Sequence, residues 1–427
     1  MNSMKINESR LLNNLHALKN FTDTPGEGVT RFSYGKQDAR AREYIISRAE
    51  KAGCSVDIDA LQNIRIGLKT NKRERPAVIV GSHMDTVRNG GWLDGIYGVC
   101  GALEVLETLA SSEEALCFEN NCEMVVFAEE EGSGFGSTMT GSKFITGIYK
   151  ERDLDVLAND EGKTLRQVLS GLSPLSEGGI KVYSTEDPTA GNVMWDFENV
   201  KTMLELHIEQ GPVLDREGLD IGIVDSIFGM RVIEVVLTGV GNHAGATPMY
   251  ERNDALCTAA ECILAAEKIV KEDTRKKTVA TVGKLEVMPN CSNVIPETVK
   301  FSVEVRDRDE EKINGFMDRI IDEITKIAES RGVTCSIREH SKSSPLHLCD
   351  RVIKSMFDMA QQQGLSCKVM DSGAVHDACM IAKYADTGMI FVPSIDGRSH
   401  VPEENTDEKQ LAAGVGFLLD VVVKELK

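Results

Sequence analysis

A basic surface is missing from this sequence. The 427 residues carry a formal net charge of -19; gathering phosphate groups needs a basic face, so this balance argues against nucleic acid and anionic membranes as partners. Long apolar runs are missing too. No stretch approaches the roughly 18 uninterrupted apolar residues of a membrane span. The N-terminal MNSMKINESRLLNN has neither the apolar core nor the small-residue cleavage site of a secretory signal, and the expectation is a cytoplasmic protein. The eleven cysteines include no CxxC pair. Their odd number suits free thiols in a reducing compartment and argues against disulfide staples or cysteine-held zinc. Repeats, low-complexity tracts and an obvious linker are also lacking, so organisation has to be read from the rhythm of elements.

What is present is an ordinary globular composition, 41% hydrophobic and 27% charged, on a chain long enough for two domains. The opening third alternates helix and strand. QDARAREYIISRAEKAG (37–53) has helical spacing and ends in glycine, PAVIV (76–80) is a short buried-strand run, and VCGALEVLETLA (99–110) puts Val99, Leu103, Leu106 and Ala110 on one helix face. EMVVFA (123–128) is a strand running into three glutamates. LELHIEQ (204–210) alternates, which turns His207 away from the core, and MIFVPS (389–394) returns the chain to the same sheet. The fold expected is α/β: a helix-covered mixed sheet over 1–221 and 339–427, with polar clusters at the carboxyl ends of its strands.

Over 222–338 the rhythm changes. Strand VIEVVLTG, helix ALCTAAECILAAEKIV, strands TVATVGKLEV and TVKFSVEVRD, helix INGFMDRIIDEITKIAES and strand TCSIRE give the β-α-β-β-α-β order of a ferredoxin-like α+β unit. It reads as a lid or dimerisation domain inserted into the first.

The chemistry-bearing residues sit at strand ends. Hydrolytic metal sites use imidazoles and carboxylates with coordination left open for water. GSHMDTVRNGGWLDG (81–95) offers His83 as a ligand, Asp85 to accept the proton of its other ring nitrogen, and Asp94, whose two oxygens can bridge two cations. A histidine bonded to an aspartate at a strand end is equally a common structural pair. AEEEGSGF (128–135) adds three carboxylates after a buried strand, where mutual repulsion calls for cations or a retained proton.

The ordered motifs GSHMDTVRNGGWLDG, EEEGS, HIEQGP, GNHAGATPMYERNDA, NVIPETVKFSVEVRD, SGAVHDA and PSIDGRSHVPEE resemble the family of N-carbamoyl-L-amino-acid hydrolases, β-ureidopropionases and allantoate amidohydrolases. These are of the aminoacylase and carboxypeptidase type of metallopeptidase. The resemblance runs from about residue 37 to the C-terminus, and HIEQGP marks the ureido-cleaving branch. It implies two divalent metal ions, zinc or manganese with cobalt or nickel also acceptable. One would be held by His83, Asp94 and His207, the other by Asp94, Glu131 and His400, with Asp94 as the bridge. Glu130 matches the general base, the register of 129–131 being anchored on Gly132. His243 matches a histidine that stabilises the oxyanion and, in the family, reaches the partner subunit's site across a homodimer.

Asn293 and Arg306 match the pair that grips a substrate carboxylate, and Gln210 and His376 match contacts to the ureido group. Taken by itself Arg306 also reads as a solvated strand-end arginine, and His376 as a satisfied core histidine. The family pattern GSRF is altered here: glycine stands at position 134 where arginine is usual. The activity implied is cleavage of the carbamoyl C–N bond of an N-carbamoyl-L-amino acid, or of a related ureido acid such as allantoate, releasing ammonia and carbon dioxide. The alternatives are an aminoacylase or dipeptidase of the same architecture, and a homologue that binds metal or ligand without catalysis.

Overall fold

The computed structural model describes residues 4–172, 181–182 and 195–427. They form two compact units, one comprising the chain up to Asp225 with Leu348–Met370 and His376–Lys427, the other Ser226–His347 with Asp371–Val375. The boundaries differ from 221/222 and 338/339 because both positions fall against or inside continuous strands, Ile221–Ile227 and Thr334–Ser343. The short segment 371–375 joins the second unit through Asp371, which pairs with Lys277 and Arg308.

In the first unit four adjacent strands run parallel, in the order Asp386–Val392, Val200–Ile208, Ala77–His83 and Asn121–Phe127. Antiparallel strands flank them: Ile221–Ile227 beside Asp386–Val392, and Ile64–Gly67 beside Asn121–Phe127. The sheet is mixed and helix-covered. Ala77–His83 is buried along its whole length, as expected of a parallel strand packed on both faces. That double cover overrides the alternation of LELHIEQ: Glu205 and His207 are 0% and 1% exposed, not turned toward solvent. The helix Ile96–Ala110 is likewise buried all round from Ile96 to Leu109, while Ala110, assigned to its inner face, is exposed. Its buried Glu104 and Glu107 are neutralised by Arg10 and Arg48. No helix among the described residues is long and apolar enough to cross a membrane, and all eleven cysteines are free thiols.

The second unit is an antiparallel sheet in the order Leu285–Met288, Thr298–Asp307, Gly229–Thr238, Thr334–Ser343, with Val279–Thr281 also on Thr298–Asp307. Alternate residues Val299, Phe301, Val303 and Val305 face the helices Ala255–Val270 and Glu310–Ser330, packing on Ala259, Cys262, Met317 and Ile320. TVATVGKLEV is two short strands, not one. Val279–Thr281 pairs near Arg306 and Leu285–Met288 pairs near Thr298, with the ladder broken around Gly283.

Candidate metal and active site

Because the four strands are parallel, their carboxyl ends share one edge, and the loops leaving them carry the polar clusters. His83 ends its strand and is 2% exposed. Its Nδ1 lies 3.0 Å from the Asp85 carbonyl; with Nδ1 donating there, Nε2 remains an acceptor, 3.6 Å from Asp94 Oδ1. His207 repeats the arrangement. Its Nδ1 is 2.9 Å from the Ile208 carbonyl and its Nε2 3.2 Å from Asp94 Oδ1.

The other oxygen of Asp94 faces a second group. Oδ2 lies 3.0 Å from His400 Nε2 and accepts from Gln210 Nε2 at 2.8 Å. Glu131 Oε1 is buried without a hydrogen-bond partner, 3.5 Å from His400 Nε2. Donor atoms of His83, Asp94 and His207 all lie within 4.8 Å of one another, as do those of Asp94, Glu131 and His400. The two sets share Asp94.

Asp85 is positioned differently from the expectation. Its carboxylate is 3.7 Å from His83 Nδ1, and its oxygens accept the backbone N–H groups of Glu130 and Glu131 at 3.1 and 3.0 Å. The main chain of Asp85 orients the histidine, and its side chain fixes the glutamate loop. Glu130 is 6% exposed, with Oε2 3.9 Å from His83 Nε2. Glu129 has φ 54°, and its Oε1 accepts from the N–H groups of Gly134 and Phe135, both at 2.8 Å. A Cβ at position 134 would lie 3.0 Å from both Glu129 carboxylate oxygens, so a side chain there would require that carboxylate to shift by a few tenths of an ångström.

The electrostatics suit cations. Burial, then Asp377, Glu131 and Asp85, push the Glu130 carboxyl well above its usual range; burial, then Asp94 and Asp85, do the same to Glu131. Asp94 is penalised by burial, yet the His207 and His400 rings outweigh that and hold it well below the usual range. Burial lowers His207, and Asp94 more than offsets it, raising the imidazole to about 9. A buried set of this kind requires protons or metal ions among its oxygens and nitrogens, and imidazole with carboxylate donors is a set that divalent metals accept.

Three other candidates belong to the second unit. Backbone pairing of His243 with Val294, and the bond from Ala244 N–H to the Asn293 carbonyl at 3.0 Å, place His243 and Asn293 side by side on exposed loops, lining one concavity. His243 Nδ1 accepts the N–H groups of Gly245 and Ala246 at 3.1 and 3.2 Å, so a neutral ring carries its proton on Nε2. Arg306 is paired with Glu304 at 2.6 Å and donates to the Gly373 carbonyl at 3.0 Å. His376 lies in the first unit, 2% exposed, its ring edge-on to His207 at 4.7 Å. Burial, then the His207 charge, hold it well below the usual imidazole range.

Sequence reasoning missed two buried carboxylates. Glu404 accepts from the N–H groups of Leu93 and Asp94; Glu205 accepts from Ser82 Oγ and Ala378 N–H. Glu404 stands four residues after His400 in SHVPEE, and that proximity was its only signal.

The family described as Peptidase family M20/M25/M40 matches residues 79–424. The N-carbamoyl-L-amino-acid amidohydrolase of Paenarthrobacter aurescens is 37% identical over 422 residues, 99% of each chain. The allantoate amidohydrolase of Bacillus subtilis is 34% identical over 398 residues, 93% of this chain and 92% of that one. A crystal structure of an amidase of the hydantoinase/carbamoylase family from Burkholderia multivorans superposes with a TM-score of 0.85 at 31% identity, covering 99% of this chain and 98% of that one. The chain belongs to peptidase family M20/M25/M40, alongside the amidohydrolases named for N-carbamoyl-L-amino acids and allantoate.

Proposed function

We propose that this protein hydrolyses the carbamoyl C–N bond of an N-carbamoyl-L-amino acid, or of a related ureido acid such as allantoate, with release of ammonia and carbon dioxide. The observation that carries the reading is the two-sided Asp94, with Oδ1 toward His83 and His207 and Oδ2 toward His400. Two divalent ions, zinc or manganese with cobalt and nickel as substitutes, fit as cofactors: His83, Asp94 and His207 would hold one, and Asp94, Glu131 and His400 the other. When bound, such a pair polarises the substrate carbonyl and makes water easier to deprotonate, which weakly electrophilic ureido carbonyls need.

The chain's own groups divide the remaining work. Glu130 takes the proton of the attacking water and returns one to the departing nitrogen; Asp85 holds its backbone in place. His243 presents Nε2–H as a donor for the developing oxyanion, from the second unit in the role of lid and dimerisation domain of a homodimer. Asn293 and Arg306 grip the substrate carboxylate, and Arg306 must exchange its Glu304 partner to do so. Gln210, already bonded to Asp94, and His376, packed on His207, bear on the ureido end.

A Glu130→Gln variant tests the assignment of roles. It is expected to take up metal as the parent does and to lose at least about 100-fold in ammonia release. Full activity in that variant overturns the mechanism.

A further inference from the structure

We infer that Arg31 is a positioning residue: its buried guanidinium ties the end of the N-terminal helix to the main chain beside Asp85, and so sets how Asp85 holds His83 and the glutamate loop. The inference rests on the metal reading above and concerns a residue that takes no part in ligation. Arg31 is 0% exposed. Its Nε donates to the Met84 carbonyl at 2.8 Å. Its Nη1 donates to the carbonyls of Leu18 and Phe21 at 2.8 and 3.0 Å. These lie where the helix Glu8–Lys19 ends, and the last carbonyls of a helix lack partners in the helix itself. The main chain of Arg31 holds the other neighbour of Asp85: its N–H donates to Thr86 Oγ1 at 2.9 Å and its carbonyl accepts the Thr86 N–H at 3.0 Å. Residues 84 and 86 are therefore both fastened to one arginine, and Asp85 stands between them.

What Asp85 does makes that fastening matter. Its carbonyl lies 3.0 Å from His83 Nδ1, and its two carboxylate oxygens accept the N–H groups of Glu130 and Glu131. One residue thereby orients a ligand of the first metal set, a ligand of the second and the candidate general base. Burial lowers the Arg31 guanidinium to about 10, against the pull of the Asp38 and Asp85 carboxylates, so the side chain remains a cation at neutral pH. A buried cation is costly, and here Nη2 is left without a hydrogen-bond partner among the described residues. An apolar side chain of similar length would fill the space without that cost. It would not supply the rigid fork that joins a helix end to the end of a strand.

Arg31→Met removes the fork but keeps the bulk and the main-chain bonds to Thr86. Arg31→Lys keeps the charge, though a single ammonium does not reproduce the planar fork. The controls are the parent and Arg351→Met, which gives up the pairs of Arg351 with Asp386 and Glu425 and so lowers stability by other contacts. Two readouts are taken on metal-free protein, with urea unfolding alongside. Nitrogen-15 spectra of the histidine rings, above the imidazole titration range, report which nitrogen of His83 carries the proton, its signal being identified by its loss in His83→Gln. Titration with Co2+, followed by visible absorption, reports metal affinity. The parent is expected to show His83 protonated on Nδ1 and to bind two Co2+. In Arg31→Met the Nδ1–H share should fall, and both Co2+ should bind about 10- to 100-fold more weakly, the usual loss when a ligand's outer support is removed. Arg31→Lys should show the same change to a smaller degree, which keeps the test in force if Arg31→Met fails to fold. Arg351→Met should keep the His83 signal and bind Co2+ within about threefold of the parent. An unchanged His83 signal or undiminished Co2+ binding in a folded Arg31→Met, or an equal change in Arg351→Met, overturns the inference, as does a parent whose His83 is protonated on Nε2 alone. A parent that binds fewer than two Co2+ overturns the two-metal reading, and the His83 signal then still decides the role of Arg31.

Discussion

Gly95 has φ 65°, and a Cβ built there would lie 2.5 Å from the His83 ring. The imidazole therefore stands where it does because position 95 has no side chain. Gly95→Ala must displace either His83 or the start of the helix that follows. Displacing a catalytic group by about 1 Å commonly costs on the order of 100-fold in rate, and a loss of ammonia release of that size is expected. Activity within a few-fold of the parent would show that the histidine can move without consequence. The clustering of His83, Asp94, Glu131, His207 and His400 was legible in the sequence because each stands in a polar cluster after an apolar run. Glu404 was not, since its partners are mostly backbone N–H groups, which leave no mark on composition or spacing. The true partner of the Asp85 carboxylate was hidden for the same reason.

Among the elements, Arg351 shows how the helices are fixed to the sheet. On the helix Asp350–Gln363, it donates to both oxygens of Glu425 at 2.8 and 2.9 Å, and Thr202 Oγ1 donates to the same carboxylate at 2.8 Å. This joins the helices Asp350–Gln363 and Glu408–Leu426, the latter carrying Glu425, to the strand Val200–Ile208. Glu425 is 4% exposed; burial raises its carboxyl, but the bonds from Arg351 and Thr202 outweigh that and hold it below the usual range. A carboxyl lowered in the folded state contributes stability above its unfolded value of about 4.3, and that contribution is lost as pH falls through the folded value. Arg351→Met should therefore lower unfolding stability by about 1 to 3 kcal/mol at pH 7, discounted for the half-exposed arginine. In urea melts the gap to the parent should narrow below pH 4, and a gap independent of pH would contradict the account. Strands such as Ala77–His83 were legible as continuous apolar runs. The alternation of LELHIEQ misled because a strand buried on both faces has no solvent side, and TVATVGKLEV looked continuous because its break at Gly283 depends on which part of the neighbouring strand each half meets.

For the whole molecule, the change of periodicity pointed to an antiparallel unit beside one with a mixed sheet, and the described residues form two compact units with other bounds. The exact junctions were not legible, because strands of both sheets continue through them and the segment 371–375 is recruited by ion pairs from distant positions. The chemistry divides along the same lines. The groups able to hold a metal lie in the first unit, and His243, with Nδ1 accepting two backbone N–H groups, lies with Asn293 and Arg306 in the second. The measurement that tests the central claim most directly is ammonia release by the metal-loaded protein offered N-carbamoyl-L-amino acids, N-carbamoyl-β-alanine, allantoate and dipeptides in parallel. The account predicts turnover of at least one carbamoyl or ureido acid and none of the dipeptides; turnover confined to dipeptides would contradict it.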